Sequence, residues 1–470
     1  MGSSTNPVTA VGVDYSTNGF APATGLEQPI DNALEISSGP LIDSTTNASG
    51  AIRALFVGIG LLMAGNALSG TLIGIRSGTE GFSPTTTGLI MAAYFIGILA
   101  GSRGTLKFLR EVGHIRVFAA LASLVSTAVL LFSVAAVPAL WIGMRFVIGF
   151  CMSGLYVVAE SWINDLATNA NRGRLLAGYM AVTMGGMAAG QFLLNLASTD
   201  GFELFVIASI AVSLAILPVT LSATASPPTA PVEAIPLKIL LGKVPTGVTT
   251  SFFVGMAHGV LLGMGAVYAS GVGFDPFRIA VFMGAPMLGG VLFQFPIGSI
   301  SDRVPRRRMI LLTAALASAL AVFMAGTDPD SYIVFPAMFL LGGMTFPLYS
   351  LGIALTNDWL EPNEIMGASS VLVTVSSVGA AIGPLLAAGL IQLFGLHQFF
   401  ITLLFAHGAI VVYILVRMMI SDPLPTDKQG RFVAYPARAS AVAASLLLKR
   451  PRRRRNEQPA ATPTRQTFSP

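Results

Sequence analysis

The stretch Ala159–Met180, AESWINDLATNANRGRLLAGYM, places Glu160, Asp165, Arg172 and Arg174 between two long apolar runs, in a chain that is only 10% charged. A fainter copy, LTNDWLEPNEIMGASSVL, begins at Leu355. At a shift of 193 residues Arg110 meets Arg303, Leu155–Tyr156 meets Leu348–Tyr349, and Asn164–Asp165 meets Asn357–Asp358. Gly97 meets Gly290 at the same shift, and Gly186 and Gly190 meet Gly379 and Gly383. Upstream, Phe82-Ser-Pro84 and Phe274-Asp-Pro276 align at 192. Isolated Gly or Leu matches arise easily in apolar sequence. A constant offset that also aligns Asn-Asp, Arg and loop position does not. The two charged loops are one element used twice, and the chain is an internal repeat.

The 470 residues are 53% hydrophobic with mean hydropathy +0.74, more apolar surface than a soluble protein tolerates. The apolar runs have the length a helix needs to cross a bilayer. Twelve are counted, at 53–75, 85–103, 116–136, 139–159, 174–197, 203–221, 247–271, 277–299, 309–326, 332–356, 367–394 and 398–420. They are continuous rather than alternating, so the expectation is an all-α integral membrane protein of twelve transmembrane helices, not a β-barrel. With the repeat, these become two pseudo-symmetric six-helix halves, 51–221 and 247–420, joined by a linker at 222–246 that contains SATASPPTAP. An even number of spans per half makes the repeat parallel, an arrangement of transporters that rock two bundles about a midplane site.

Residues 1–50 hold five acids, no base and many Ser, Thr, Asn and Gly. They are expected to be a disordered tail, with no cleaved signal peptide. The 421–470 tail carries KRPRRRR at Lys449–Arg455; beside twelve spans this is read as a basic tail near anionic lipid, not a nucleic-acid site. With both termini inside, inner segments hold 23 of the 27 Lys and Arg. That excess predicts cytoplasmic termini and a multi-pass protein of the cell inner membrane. The single Cys151 cannot form an intrachain disulfide and is read as a packing residue.

GSISDRVPRRR, Gly298–Arg308, resembles the major facilitator superfamily signature Gly-x-x-x-Asp-Arg-x-Gly-Arg-Arg. Asp302, Arg303, Arg306 and Arg307 match it, with Pro305 in place of glycine. The first-half copy keeps Arg110 but has Leu109 where the aspartate belongs. RFVIGFCMSG, from Arg145, resembles the family's fourth-helix pattern, and the AESWIND…RGR block resembles its YcaD-like bacterial branch. Drug/proton antiporters of the family carry Gly-Pro in helix five; here Gly190-Gln191 stands there, and Gly383-Pro384 occurs only in the second half.

The resemblance implies that the 300–308 loop of one half faces the 160–174 loop of the other. Glu160, Asp165, Arg172, Arg174, Arg110, Asp302 and Arg303 are then candidates for a cytoplasmic gate of ion pairs. The plainer reading is solvated loop charge, each exposed pair contributing about 0–1 kcal/mol. The family's cavity-lining helices are 1, 4, 7 and 10, which implies that Asn66 near the middle of span one and its counterpart His258 in span seven lie close to a central cavity. A histidine titrates near neutrality, so His258 either carries a coupled proton or is a neutral ring bonded to a neighbour. Arg145, in span four, either meets an anionic solute group or organises packing. Gln191, Asn195, Gln294, Tyr156, Tyr268 and Tyr349 add cavity hydrogen bonds or helix–helix contacts, and His407 lies on a peripheral span.

No Asp or Glu lies near a span centre. A lipophilic cation would lack a counter-charge in a low-dielectric cavity, so the expected substrate is a small neutral or anionic solute. The function expected is secondary transport by alternating access, with proton-coupled efflux as its working form. A non-transporting sensor or partner protein on a transporter scaffold is the alternative. There is no P-loop and no His-Glu-x-x-His site, so neither an ATPase nor an enzyme is expected, and no cofactor or metal. Partners are the solute, a coupling proton and the bilayer, around a monomer.

Overall fold

The computed structural model describes residues 44–168, 171–220, 235–422 and 424–433. They form fourteen α-helices and two short 3-10 turns, with no β-strand among the described residues. The first half comprises α1 (Ser44–Thr79), α2 (Pro84–Val112), α3 (His114–Leu131), α4 (Pro138–Leu166), α5 (Arg172–Phe192), α6 (Glu203–Leu214) and its short continuation α7 (Ile216–Thr220). After α8 (Leu237–Lys243) come α9 (Pro245–Gly271), α10 (Pro276–Ser301), α11 (Arg306–Ala325), α12 (Val334–Asn357), α13 (Ile365–Phe394) and α14 (Gln398–Ile420). Eleven helical segments are long and apolar enough to cross a membrane. The twelfth expected crossing is α5, continued by a 3-10 turn at Leu193–Leu196. Its five glycines, two arginines and Gln191 keep it below the apolarity of the others.

Helix starts follow local chemistry. Pro138, Pro245 and Pro276 occupy the first turn of α4, α9 and α10, where the missing N–H has no partner to lose. Asp275 caps α10, its side chain accepting from the N–H groups of Phe277 (2.9 Å) and Arg278 (3.1 Å). Prolines 286, 296, 347 and 384 sit inside helices, as membrane helices tolerate.

Three sequence boundaries shift. Residues 44–50, expected in the tail, already belong to α1, and residues 1–43 lie outside the described set. Within the expected linker, 237–243 coil into α8 because Leu240 can be fully buried; 221–234 lie outside the described residues. The expected C-terminal tail is structured through Val433, while 434–470, with Lys449–Arg455, lie outside.

Packing repeats between the halves. α2 lies on α4 as α10 lies on α12, and α3 lies on α6 as α11 lies on α14. Contacts between halves run through α2 with α13 and α5 with α10, pairs that exchange when the halves exchange. Glycine sets these seams. A β-carbon on Gly149 of α4 would lie 1.9 Å from the Tyr94 carbonyl oxygen, and one on Gly342 of α12 would lie 2.1 Å from that of Pro286. Backbone cannot yield as a flexible side chain can. Gly149→Ala is therefore expected to destabilise the fold by about 1–3 kcal/mol. Gly143→Ala on the same helix, with nothing within 4 Å of its new methyl, should be neutral or slightly stabilising. Thermal unfolding of both variants in detergent checks the contrast.

Candidate functional site

Six membrane helices meet around one cavity, partly open to its surroundings. Its polar wall comes from the first half: Asn66 and Thr71 on α1, Tyr94 on α2, Arg145 on α4 and Gln191 on α5. Its apolar wall includes Leu262 on α9 and Met283 and Met287 on α10, from the second half. The cavity therefore lies between the halves.

The polar wall is cross-linked. The Asn66 amide donates to the Tyr94 hydroxyl at 3.3 Å. The Arg145 guanidinium sits 4.6 Å from the centre of the Tyr94 ring, a cation–π geometry, and one of its Nη atoms lies 3.5 Å from the Met91 sulfur. Thr71 donates to Gln191 Oε1 at 2.7 Å, tying α1 to α5. Arg145 is only 4% exposed. A guanidinium does not lose its proton, so this wall is permanently cationic and rich in donors. None of the described lining residues is acidic.

Asn66, Arg145 and Gln191 thus meet, while the other expected cavity residues stand elsewhere. His258 is buried and stacked on Phe346, ring centroids 4.9 Å apart, at the α9–α12 seam. Tyr268 stacks on Phe282 and Phe399. Gln294 donates to Ser350 Oγ at 2.7 Å, joining α10 to α12. Tyr156 points its hydroxyl at the Met63 sulfur, 3.4 Å away. Tyr349 is buried on α12. Asn195 donates to the Phe192 carbonyl. His407 contacts Thr345 Oγ1 at 3.1 Å and the Leu403 carbonyl at 2.8 Å inside the second half. Tyr94 and Thr71 were not singled out from sequence. An aromatic and a threonine in apolar runs look like packing until a partner is seen.

The gate candidates divide as well. Glu160 is buried and accepts from the Tyr179 hydroxyl at 3.2 Å. Arg174 and Arg303 are exposed, and the side chains of Arg110, Asp165 and Arg172 lie outside the described residues. Asp302 faces its own half: Arg306 lies 3.6 Å away, and the Phe432 N–H donates to Asp302 Oδ1 at 2.7 Å. Arg306, 2% exposed, holds Asp358 Oδ2 through Nε at 2.6 Å. Asp358 is the repeat partner of Asp165, the one signal that could have found it. Burial pushes the Asp358 carboxyl up from its ordinary value, although Arg306 and the Gly430 N–H pull it down. Nearby, Lys243 pairs with Glu364 and, with the Glu361 N–H, holds that carboxyl below its usual value.

The comparisons agree on the family. The Major Facilitator Superfamily model matches residues 55–291 and 248–456. The chain belongs to the major facilitator superfamily. It is 26% identical over 386 residues to the uncharacterized MFS-type transporter YcaD of Escherichia coli O6:K15:H31, covering 80% of this chain and 97% of that one. It is 28% identical over 331 residues to the uncharacterized MFS-type transporter YfkF of Bacillus subtilis, covering 69% and 84%. These relatives place it in the YcaD-like branch. Among solved structures, a variant of the nucleoside transporter NupG superposes with TM-score 0.67 at 12% identity, over 79% of this chain and all of that one. An inward-facing bacterial homologue of the human lysosomal transporter Spinster superposes with TM-score 0.57 at 16% identity, over 86% and 97%. The fold is that of this superfamily, and the chain is a multi-pass membrane transporter, not an enzyme.

Arg306 and Arg303 are three residues apart in this superfamily member and differ in role. Removing one partner of a buried ion pair leaves the other charge stranded. Arg306→Ala should cost about 3–5 kcal/mol, whereas Arg303→Ala, at an exposed site, should stay within about 0.5 kcal/mol. Thermal unfolding in detergent separates them.

Proposed function

We propose that this transporter moves a small solute, anionic or neutral, across a bacterial inner membrane by alternating access, with both termini in the cytoplasm and proton-coupled efflux as its working form. The carrying observation is the cavity between the halves, with Arg145, Asn66, Tyr94 and Gln191 on one wall and apolar side chains on the other. A fixed cation in a desolvated site favours a carboxylate or phosphate group and disfavours a cationic solute. The apolar wall suits the body of such a molecule.

Contacts between the halves away from the basic loops support a state closed toward the outside. Thr85 meets Gln392, Phe192 packs near Phe277, and Gly88 lies against Pro384 and Ala388. Closing the other side is the work proposed for Glu160, Asp165, Arg172, Arg174, Arg110, Asp302 and Arg303. His258 is proposed to carry the coupled proton; its place at the α9–α12 seam lets it act on the motion of those helices.

The test is flux in proteoliposomes under an imposed pH gradient, with pooled small anions and neutral metabolites. Wild type should show saturable flux, and Arg145→Met should lose about 10- to 100-fold for an anionic solute. A permanent cation as best substrate would overturn the substrate class. His258→Ala should keep solute exchange but lose its dependence on the gradient; wild-type flux that ignores the gradient would remove proton coupling. In the same assay, Glu160→Gln keeps the volume and the acceptor for Tyr179 but not the charge. It should lower transport without lowering membrane abundance, and unchanged transport argues against the gate.

A further inference from the structure

The chain does not leave the protein when α14 ends. Arg307 donates to the carbonyl and hydroxyl of Ser421 at 2.8 and 3.0 Å. A 3-10 turn at Thr426–Lys428 then leads into an extended stretch that crosses the basic face of the second half. There, main-chain groups are bound by side chains. The Gly430 N–H donates to Asp358 Oδ1 at 2.8 Å, and the Gly430 carbonyl accepts from Arg306 Nη2. The Phe432 N–H donates to Asp302 Oδ1 at 2.7 Å. The Phe432 ring fills the notch at Gly298 on α10, where a β-carbon would lie 2.2 Å from it.

The groups that bind the stretch come from the end of α10, the start of α11 and the end of α12. They bind two amides, one carbonyl and one ring, and none of these contacts uses the side chains of Gln429 or Arg431. What is recognised is an extended Gly-x-aromatic backbone. The contacts are charge-assisted, the stronger kind. They also engage both carboxylates: Asp358, after α12, gives one oxygen to Arg306 and the other to Gly430, and Asp302, after α10, gives Oδ1 to Phe432 and Arg306. Asp302 is one of the groups proposed above to close the cytoplasmic side against the other half.

We propose that Gly298, Asp302, Arg306 and Asp358 form a binding site for an extended Gly-x-aromatic peptide, that Gly430–Phe432 occupies it as a strap, and that the strap must leave before the cytoplasmic side closes. The last clause rests on the alternating-access reading. The strap and the opposite half compete for one carboxylate, so the population of the strapped state sets how readily the protein turns outward.

The test uses the full chain in a Cys151→Ala background, solubilised in detergent, with a polar maleimide as probe. Val433→Cys reports undocking. Gly284→Cys reports opening on the other face, because Gly284 lies on α10 against Ala188 and Phe192 of α5, where an added β-carbon meets ordinary van der Waals contacts. Phe432→Pro removes the amide donor and the ring together. It should speed labelling of Val433→Cys about tenfold or more and also speed labelling of Gly284→Cys. Asp302→Ala should speed Val433→Cys likewise, and Phe432→Tyr should leave both rates unchanged. Equal Val433→Cys rates in all variants would overturn the strap. A fast Val433→Cys with an unmoved Gly284→Cys would overturn the competition. Failure of the transport reading would show separately, as absence of saturable wild-type flux in the proteoliposome assay.

Discussion

In hydrocarbon a backbone amide or carbonyl left without a partner costs several kcal/mol, and the crossings here answer that cost with helix, broken only at Ala215 between α6 and α7 and tightened to a 3-10 turn after α5. Once the backbone is satisfied within each helix, lateral association cannot draw on the hydrophobic effect, because lipid is as apolar as leucine. Close contact must do the work. That is why Gly149 lies against the Tyr94 carbonyl and Gly342 against that of Pro286, and why these seams recur in both halves. The same closeness that holds α4 to α2 brings Arg145 of one to Tyr94 of the other, so the packing constraint also builds the polar wall of the cavity.

The repeat conserves the packing and divides the chemistry. Superposing the Gly149–Tyr94 seam on the Gly342–Pro286 seam makes Pro286 the counterpart of Tyr94. Along the same repeat, Met338 stands for Arg145 and Pro384 for Gln191. The second half faces the cavity with Leu262, Met283 and Met287, where the first half offers a guanidinium, a phenol and an amide. The loops reverse this division. Asp302, Arg306 and Asp358 form a paired network under the second half, while the first half has Leu109 in the aspartate's place. The polar side chains of the cavity belong to one half and the described charge network at the basic face to the other.

The helices were legible because the bilayer imposes one length and one composition on all of them; α5 fell short only where glycines and Gln191 dilute its apolar character. The halves were legible because Asn-Asp and Arg recur at fixed offset, a pattern apolar packing alone does not generate. Of the cavity, Asn66, Arg145 and Gln191 could be read because polar atoms inside spans are costly and so conspicuous. Tyr94 could not: its ring suits a packing position, and only the approach of Asn66 and Arg145 gives it another role. Tyr268 and Gln294 show the converse, polar side chains whose partners are an aromatic cluster and Ser350. Nothing in the period or composition of residues 424–433 signals a contact with α10 and α12 more than 70 residues upstream.

Charge placement ties these observations together. Arg145 can sit buried because a cation–π contact with Tyr94 and the cavity's polar wall replace part of its lost hydration. Arg306, equally buried, takes another route, through Asp358, Asp302 and the Gly430 carbonyl. Saturated with partners from its own half and the strap, Arg306 is a structural charge. Arg145 faces a cavity with no acidic side chain among the described lining residues. Two arginines with similar burial thus differ in what surrounds them, and the open space beside one of them makes it the candidate for binding a solute.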